Sequence, residues 1–199
     1  MELADHFREN LSSFDLEALD ASRNIIYGLD SDMHLTFLNE EWSRSAKRNG
    51  ADEAFFRDWH LGARVDRAWP DELAPFYRDG FQTAAESGEP WEHEYLCPAP
   101  SIMRDYKLRV LPLELGGWLV IHIEVARRPH DYDEEHPEVS AAYRHDDGLY
   151  RQCSHCGRFR RPESDDTWDW VPGLFEDPPD RTSHGLCEMC FGFYYGDTE

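Results

Sequence analysis

The sequence predicts an α+β protein: a five-stranded antiparallel sheet with helices on one face, followed by a small four-cysteine metal-binding module. Three observations carry this reading. Two short β-rich runs precede three helical stretches and three strands follow them, and strands divided in that way around helices return to one antiparallel sheet. Tight turns rather than long crossovers join the three closing strands. Four of the five cysteines stand in two C-x2-C pairs within residues 151–199.

Leu3, Phe7, Leu11 and Phe14 recur at helical spacing and Leu16 and Leu19 continue it, so an amphipathic helix is expected over residues 1–19. NIIYGLD and MHLTFLN follow as the strands of a hairpin turned at Ser31 and Asp32. Asn39 is placed to cap a helix over EEWSRSAKRNG, with Asn49 and Gly50 as its stop. A shorter helix over ADEAFFRDW comes next. Pro70 and Asp71 then open a longer one through ELAPFYRDGFQTAAESG, closed at Gly88. The strands PWEHEYLC, SIMRDYKLRVLPLE and GWLVIHIEV complete the sheet, with Gly116 and Gly117 turning into the last. In that last strand the alternation sets Trp118, Val120 and His122 on one face. Residues 127–150 hold seven acids and few aliphatics, which is linker composition, with a short helix expected around Glu138 to Arg144.

The 199 residues carry 41 acidic against 20 basic side chains, a formal charge of −21. Such a charge repels phosphate backbones and anionic lipid, which counts against nucleic acid and membrane surfaces as partners. No run approaches the ~18 to 20 apolar residues of a membrane span, and MELADHFREN is acidic and amphipathic rather than a signal peptide, so a cytoplasmic protein is expected. Abundant Asp and Glu with Lys47 and Lys107 as the only lysines suit a cytoplasm of high salt, where self-repulsion is screened. That pattern points to a halophilic source and says nothing of activity.

The element order, the stretch DSDMHLTFLN from Asp30 to Asn39, the Leu61-Gly62 pair before a helix, the SGEP turn at 87–90 and the three closing strands together resemble a PAS domain over residues 20–126. The resemblance implies a sensory or interaction module whose sheet and helices enclose a ligand pocket, with the opening helix standing where a flanking signalling helix is often found. Candidate pocket residues are His60, Trp69, Phe76, Tyr77, Phe81, Tyr106, Trp118 and His122. The flavin-binding pattern of the family, a reactive Cys within an NCRFLQ-like motif, has no match here, and Cys97 at a strand end reads as a small inert hydrophobe. A haem-binding member needs an axial His among the helices, where only His60 is near. His122 either lines the pocket or is a hydrogen-bonded core histidine, the second being the expectation. The pocket ligand is left unidentified.

Cys153-Ser-His-Cys156 and Cys187-Glu-Met-Cys190 are separated by 30 residues. Each pair on a tight turn presents both sulfurs to one centre, and two turns complete a tetrahedral all-sulfur site suited to a single structural Zn(II). A segment with few aliphatics gains from such a metal the folding free energy that packing does not supply. Two redox-active dithiols or an iron–sulfur cluster are the competing readings. His155 is expected as an exposed residue of its turn. His184 is an alternative ligand, or hydrogen-bonds a ligand from behind. The pattern CxxC, basic stretch, Trp168, Val171, SHGxCxxC and aromatic ending also resembles a C-terminal element of bacterial PAS and response-regulator signalling proteins.

The run RFRRP with Arg151 upstream is the clear basic cluster, yet ten acids against five arginines in residues 151–199 count against nucleic acid. An acidic protein, or the DYDEEH run of the same chain, is the better mate for it. No GxSxG, HExxH or phosphate loop is present, and four thiolates leave no coordination position open to substrate, so no enzyme is expected. The functional expectation is a non-catalytic sensor or adaptor that signals through another protein or through self-association by the opening helix. The alternative is a thiol-based redox or metal sensor in which the four C-terminal cysteines respond.

Overall fold

The structure is a computed structural model, and it describes residues 1–99, 102–129, 140–164 and 166–196. The chain divides into two compact units, residues 1–94 with 106–124, and residues 95–105 with 125–199.

The first unit has the expected α+β architecture, an antiparallel sheet with helices. Its strands are β1 (Glu2–Leu3), β2 (Ile25–Leu29), β3 (Leu35–Leu38), β4 (Trp91–Ala99), β5 (Ile102–Pro112) and β6 (Trp118–Pro129), the last three running on into the second unit. Its helices are α1 (Leu16–Ala21), α2 (Glu40–Arg48), α3 (Glu53–Asp58) and α4 (Ala74–Ser87). The sheet has six strands rather than five, in the order β1-β3-β2-β6-β5-β4. The addition is β1, which pairs antiparallel to β3 with Glu2 opposite Leu38.

The opening segment is therefore not one helix. After β1 it makes two 3-10 turns, Asp5–Phe7 and Glu9–Leu11, before α1. Asn10, Ser12 and Ser13 are poor helix formers at the break in the run, and the Asn10 side-chain amide donates to the Gly116 carbonyl at 2.7 Å. Asp15 then caps α1 by accepting from the amides of Glu17 and Ala18. The apolar spacing is real but serves the fold: Phe7 and Leu11 are buried with Ile26, Phe37, Leu113 and Leu119. Leu3, Phe14, Leu16 and Leu19 pack against the same cluster, so this apolar face lies on the chain's own sheet.

The β2–β3 hairpin turns where Asp30 Oδ1 accepts from the amides of Asp32 and His34, and Met33 takes a positive φ of 67° there. Asn39 caps α2 as expected, accepting from the Trp42 amide, and Asp52 caps α3 through the Phe55 amide. The longer helix begins at Ala74, not Pro70: the Pro70 carbonyl accepts from the amides of Leu73 and Ala74 in a turn, and Pro75, which has no N–H, cannot donate the next bond to Asp71. It ends at Gly88, whose φ of 71° is the left-handed cap. Within α4, Gly80 is required by packing: a Cβ there would lie 2.4 Å from the indole of Trp91 on β4.

The second unit holds β7 (Tyr150–Cys153), β8 (Phe159–Arg160), β9 (Trp168–Asp169), α5 (Pro172–Glu176), β10 (Thr182–Gly185) and α6 (Glu188–Tyr195). Its sheet order is β10-β7-β8-β9, with β10 parallel to β7. Tyr143, Phe159, Val171 and Leu174 form a small core. The Tyr143 hydroxyl donates to Asp169 Oδ2 at 2.8 Å, and Arg161 pairs with the same carboxylate. Of the stretch read as a linker, residues 130–139, the DYDEEH run included, lie outside the described residues. The helix expected around Glu138 to Arg144 is a 3-10 turn at Ser140–Tyr143, and it delivers Tyr143 to this core.

Candidate metal centre

Both C-x2-C turns are built by local backbone bonds. Cys153 closes β7, its amide donating to the Arg158 carbonyl at 2.8 Å, and the Gly157 amide returns to the Cys153 carbonyl at 3.0 Å. Gly157 has a φ of 73°, and a Cβ on it would meet the rings of Phe175 and Trp170 at 2.8 and 2.9 Å, so the turn that aims Cys156 inward needs glycine twice over. Cys187 occupies the N-cap of α6 and Cys190 lies in its first turn. The amide of Ser154 donates to the Gly185 carbonyl at 2.7 Å, which fixes one turn against the strand leading to the other.

The result is a cluster in which the Sγ atoms of Cys153, Cys156, Cys187 and Cys190 all lie within 4.8 Å of one another. Exposure of the four runs from 1% to 5%, so water reaches none of them freely. The thiols are free, and the 3.9 Å between the sulfurs of Cys156 and Cys187 is far outside a disulfide bond. It is close to the edge of a tetrahedron with metal–sulfur bonds of ~2.3 Å, which is about 3.8 Å. The Cys187 amide donates to Cys153 Sγ at 3.4 Å, a bond that favours a thiolate. Leu96, Trp168 and Leu186 pack around the sulfurs.

The electrostatics ask for a cation. Hydrogen bonds from the thiols of Cys156, Cys187 and Cys190 hold the Cys153 thiol far below its usual range, so one thiolate is stabilised by its neighbours. The same proximity pushes Cys156 and Cys190 well up, with Cys153 the largest influence on each. Four buried sulfurs cannot all ionise against one another, whereas a divalent metal at their centre removes that opposition. The donor set and spacing thus fit a soft tetrahedral ion held by Cys153, Cys156, Cys187 and Cys190.

The histidines fall differently from expectation. His155 is not exposed: it is 8% exposed, with Nδ1 2.7 Å from the Tyr194 hydroxyl and the Phe193 ring stacked at 6.0 Å. The covering helix α6 lies some 35 residues beyond it in sequence, so local spacing did not reveal the burial. His184 stands exposed on β10 opposite Gln152, outside the sulfur cluster. Leu96, which comes from β4, was not foreseen at all.

Of the candidate pocket residues, the structure brings five into one aromatic cluster. Trp69 lies 5.5 Å from both Tyr77 and Phe81, Phe76 adjoins Tyr77, and Phe81 meets Trp118 at 5.4 Å. The Trp118 indole N–H donates to the Phe81 carbonyl at 3.1 Å. Trp91 and His93, neither of them a candidate from the sequence, extend the cluster against Phe76. His60 stays outside, exposed, with Nδ1 2.5 Å from the Leu61 carbonyl oxygen. Tyr106 donates to Glu124 Oε2 at 3.2 Å. His122 Nε2 lies 3.2 Å from the Tyr27 hydroxyl, the hydrogen-bonded arrangement expected of a core histidine.

No helix among the described residues is long and apolar enough to cross a membrane. No family model and no curated protein matches the chain. The solved structures to which it is similar over part of its length include the following three domains. One is a domain of an HTR-like protein from Haloarcula marismortui, at 17% identity and a TM-score of 0.38, covering 53% of this chain and 100% of that one. Another is the PAS domain of an HTR-like protein from the same organism, at 21% identity and a TM-score of 0.37, covering 60% and 97%. The third is the photoactive yellow protein domain of the sensor histidine kinase Ppr from Rhodospirillum centenum, at 11% identity and a TM-score of 0.39, covering 57% and 96%.

Proposed function

We propose that the chain is a non-catalytic sensor or adaptor of signal transduction. In this reading the PAS-like unit receives a small ligand or a partner protein, and a Zn(II)-stabilised unit serves as an interaction module. The observation that carries the zinc assignment is the closed set of four buried sulfurs within 4.8 Å. Four thiolates saturate a tetrahedral ion, so the metal has no position for substrate and its contribution is folding free energy rather than Lewis-acid chemistry. The sensory assignment rests on the PAS resemblance of the sequence and on the aromatic cluster in which Phe81 of α4 meets Trp69 and, on strand β6, Trp118.

The 1–5% exposure of the sulfurs favours a structural metal over a thiol switch, because oxidants need access to the thiolate. Elemental analysis of protein purified without chelator tests the assignment. About one zinc per chain and no iron is the expected result; iron, or neither metal, overturns it. Zinc retained through mild peroxide supports the structural role, and stoichiometric release promotes the redox or metal sensor. Mass spectrometry of organic extracts from the same preparation reads out any ligand of the first unit.

A further inference from the structure

The second unit holds two arginines that converge, among the described residues, without a counterion between them. Arg144 Nη2 and Arg181 Nη1 lie 3.3 and 2.9 Å from the position a Cβ would take on Gly148. Gly148 is buried, with a φ of 77°, and its lack of a side chain is what lets both guanidinium groups close over it. Among the described residues the Arg144 side chain makes no hydrogen bond or ion pair. Arg181 donates to the Asp147 carbonyl at 3.3 Å, which leaves most of its fork unused. Two like charges on one spot repel, and in a chain of net charge −21 the pair is not a by-product of general basicity.

A surface depression of about 580 Å³ adjoins Arg144, and His145, Arg151 and Asp147 are among its other lining residues. His145 is 9% exposed and its Nε2 has no hydrogen-bond partner. Arg151 is already matched by Asp147 at 2.6 Å. Asp146 and Glu163 also border the depression and oppose an anion there, so the favourable place is beside Arg144 on the side of Gly148, where Arg181 stands.

We propose that this is an oxyanion site: a phosphate group, free or on a small phosphomonoester, bridges Arg144 and Arg181 above Gly148. Planar guanidinium forks match phosphate oxygens with paired charge-assisted hydrogen bonds, and an anion of this size neutralises both cations at once.

Calorimetric titration of the full chain with orthophosphate, glycerol 3-phosphate and acetate tests it. The expected result is saturable binding of one orthophosphate, weakened about tenfold or more in Arg144→Gln and in Arg181→Gln, each of which removes a charge-assisted pair. Arg57→Gln, on α3 of the other unit, should leave binding unchanged. Glycerol 3-phosphate binding alongside orthophosphate identifies the phosphoryl group as what is held, and its exclusion identifies the free ion. Arg144→Lys keeps the charge but not the fork, so an intermediate loss is expected there even if the glutamine variant fails to fold. Absence of saturable binding, equal uptake of acetate, or undiminished affinity in both arginine variants overturns the proposal.

Discussion

The Tyr194 hydroxyl and His155 Nδ1 share a hydrogen bond of 2.7 Å that ties the two cysteine turns together. His155 lies between Cys153 and Cys156, and Tyr194 is on α6, the helix that carries Cys190. Burial lowers the pKa of the imidazole, so it serves as a neutral partner. Tyr194→Phe keeps the ring and deletes the bond, leaving a buried nitrogen unpaired. A loss of about 1–3 kcal/mol is expected in the unfolding of the second unit, with faster zinc transfer to a chromophoric chelator. An unchanged denaturation midpoint and transfer rate would show that the bond is incidental.

Removing the proposed Zn(II) should undo the second unit. Its apolar core is Tyr143, Phe159, Val171 and Leu174, and at about 1.5–3 kcal/mol for each buried side chain such a core does not outweigh the ordering of the loops around it. Cys190→Ser, or chelator with reductant, is expected to abolish the near-ultraviolet circular dichroism of Trp168, packed on the sulfurs, and of Trp170, 6% exposed. Persistence of those bands without metal would mean that packing alone suffices.

Asn39 is a buried polar side chain that joins three elements of the first unit. It is 1% exposed; its Oδ1 accepts from the amides of Ile26 and Trp42, and its Nδ2 donates to the carbonyls of Leu19 and Asn24. One residue therefore caps α2 and joins it to α1 and β2. Asn39→Ala should cost about 2–4 kcal/mol by denaturant titration, more than an ordinary cap, because buried backbone groups lose their partners. Asn39→Asp, which keeps the acceptor and loses both donors, should fall between. A cost below about 1 kcal/mol for Asn39→Ala would reduce it to a simple helix cap.

What was legible in the sequence was local. The Asn39 cap, the Gly88 stop and the spacing of Cys153, Cys156, Cys187 and Cys190 each depend on neighbours a few residues away, and each stands where expected. The pairing of Glu2–Leu3 with β3 depends on an edge more than thirty residues distant, and the same apolar spacing is compatible with a helix or with successive turns over a sheet. The cover over His155 and the placement of Leu96 against the sulfurs likewise come from elements remote in sequence. The aromatic spacing of Trp69, Phe76, Tyr77 and Phe81 and the strand alternation at Trp118 signalled their cluster, but the pattern alone did not exclude His60, whose exposure follows from the turn that leads to Gly62.

His122 makes the first unit sensitive to acid. Its ring lies 5.4 Å from that of Tyr27 and its Nε2 bonds the Tyr27 hydroxyl, on paired strands β6 and β2. Burial pushes the imidazole down to about 4 from its usual 6.5, and the phenol of Tyr27 up. The folded chain thus binds a proton at this position less readily than the unfolded chain. The stability that this histidine contributes is complete above the unfolded value of about 6.5, declines as pH falls toward about 4, and is lost below that. Between about pH 7 and pH 5 the expected loss is roughly 1–2 kcal/mol, since His122 keeps some solvent contact. Urea titrations of the native chain and of His122→Gln across that window measure it: the native midpoint should fall with acid, and the variant's should fall less by this amount. Parallel midpoints in the two proteins would assign the acid response to other groups.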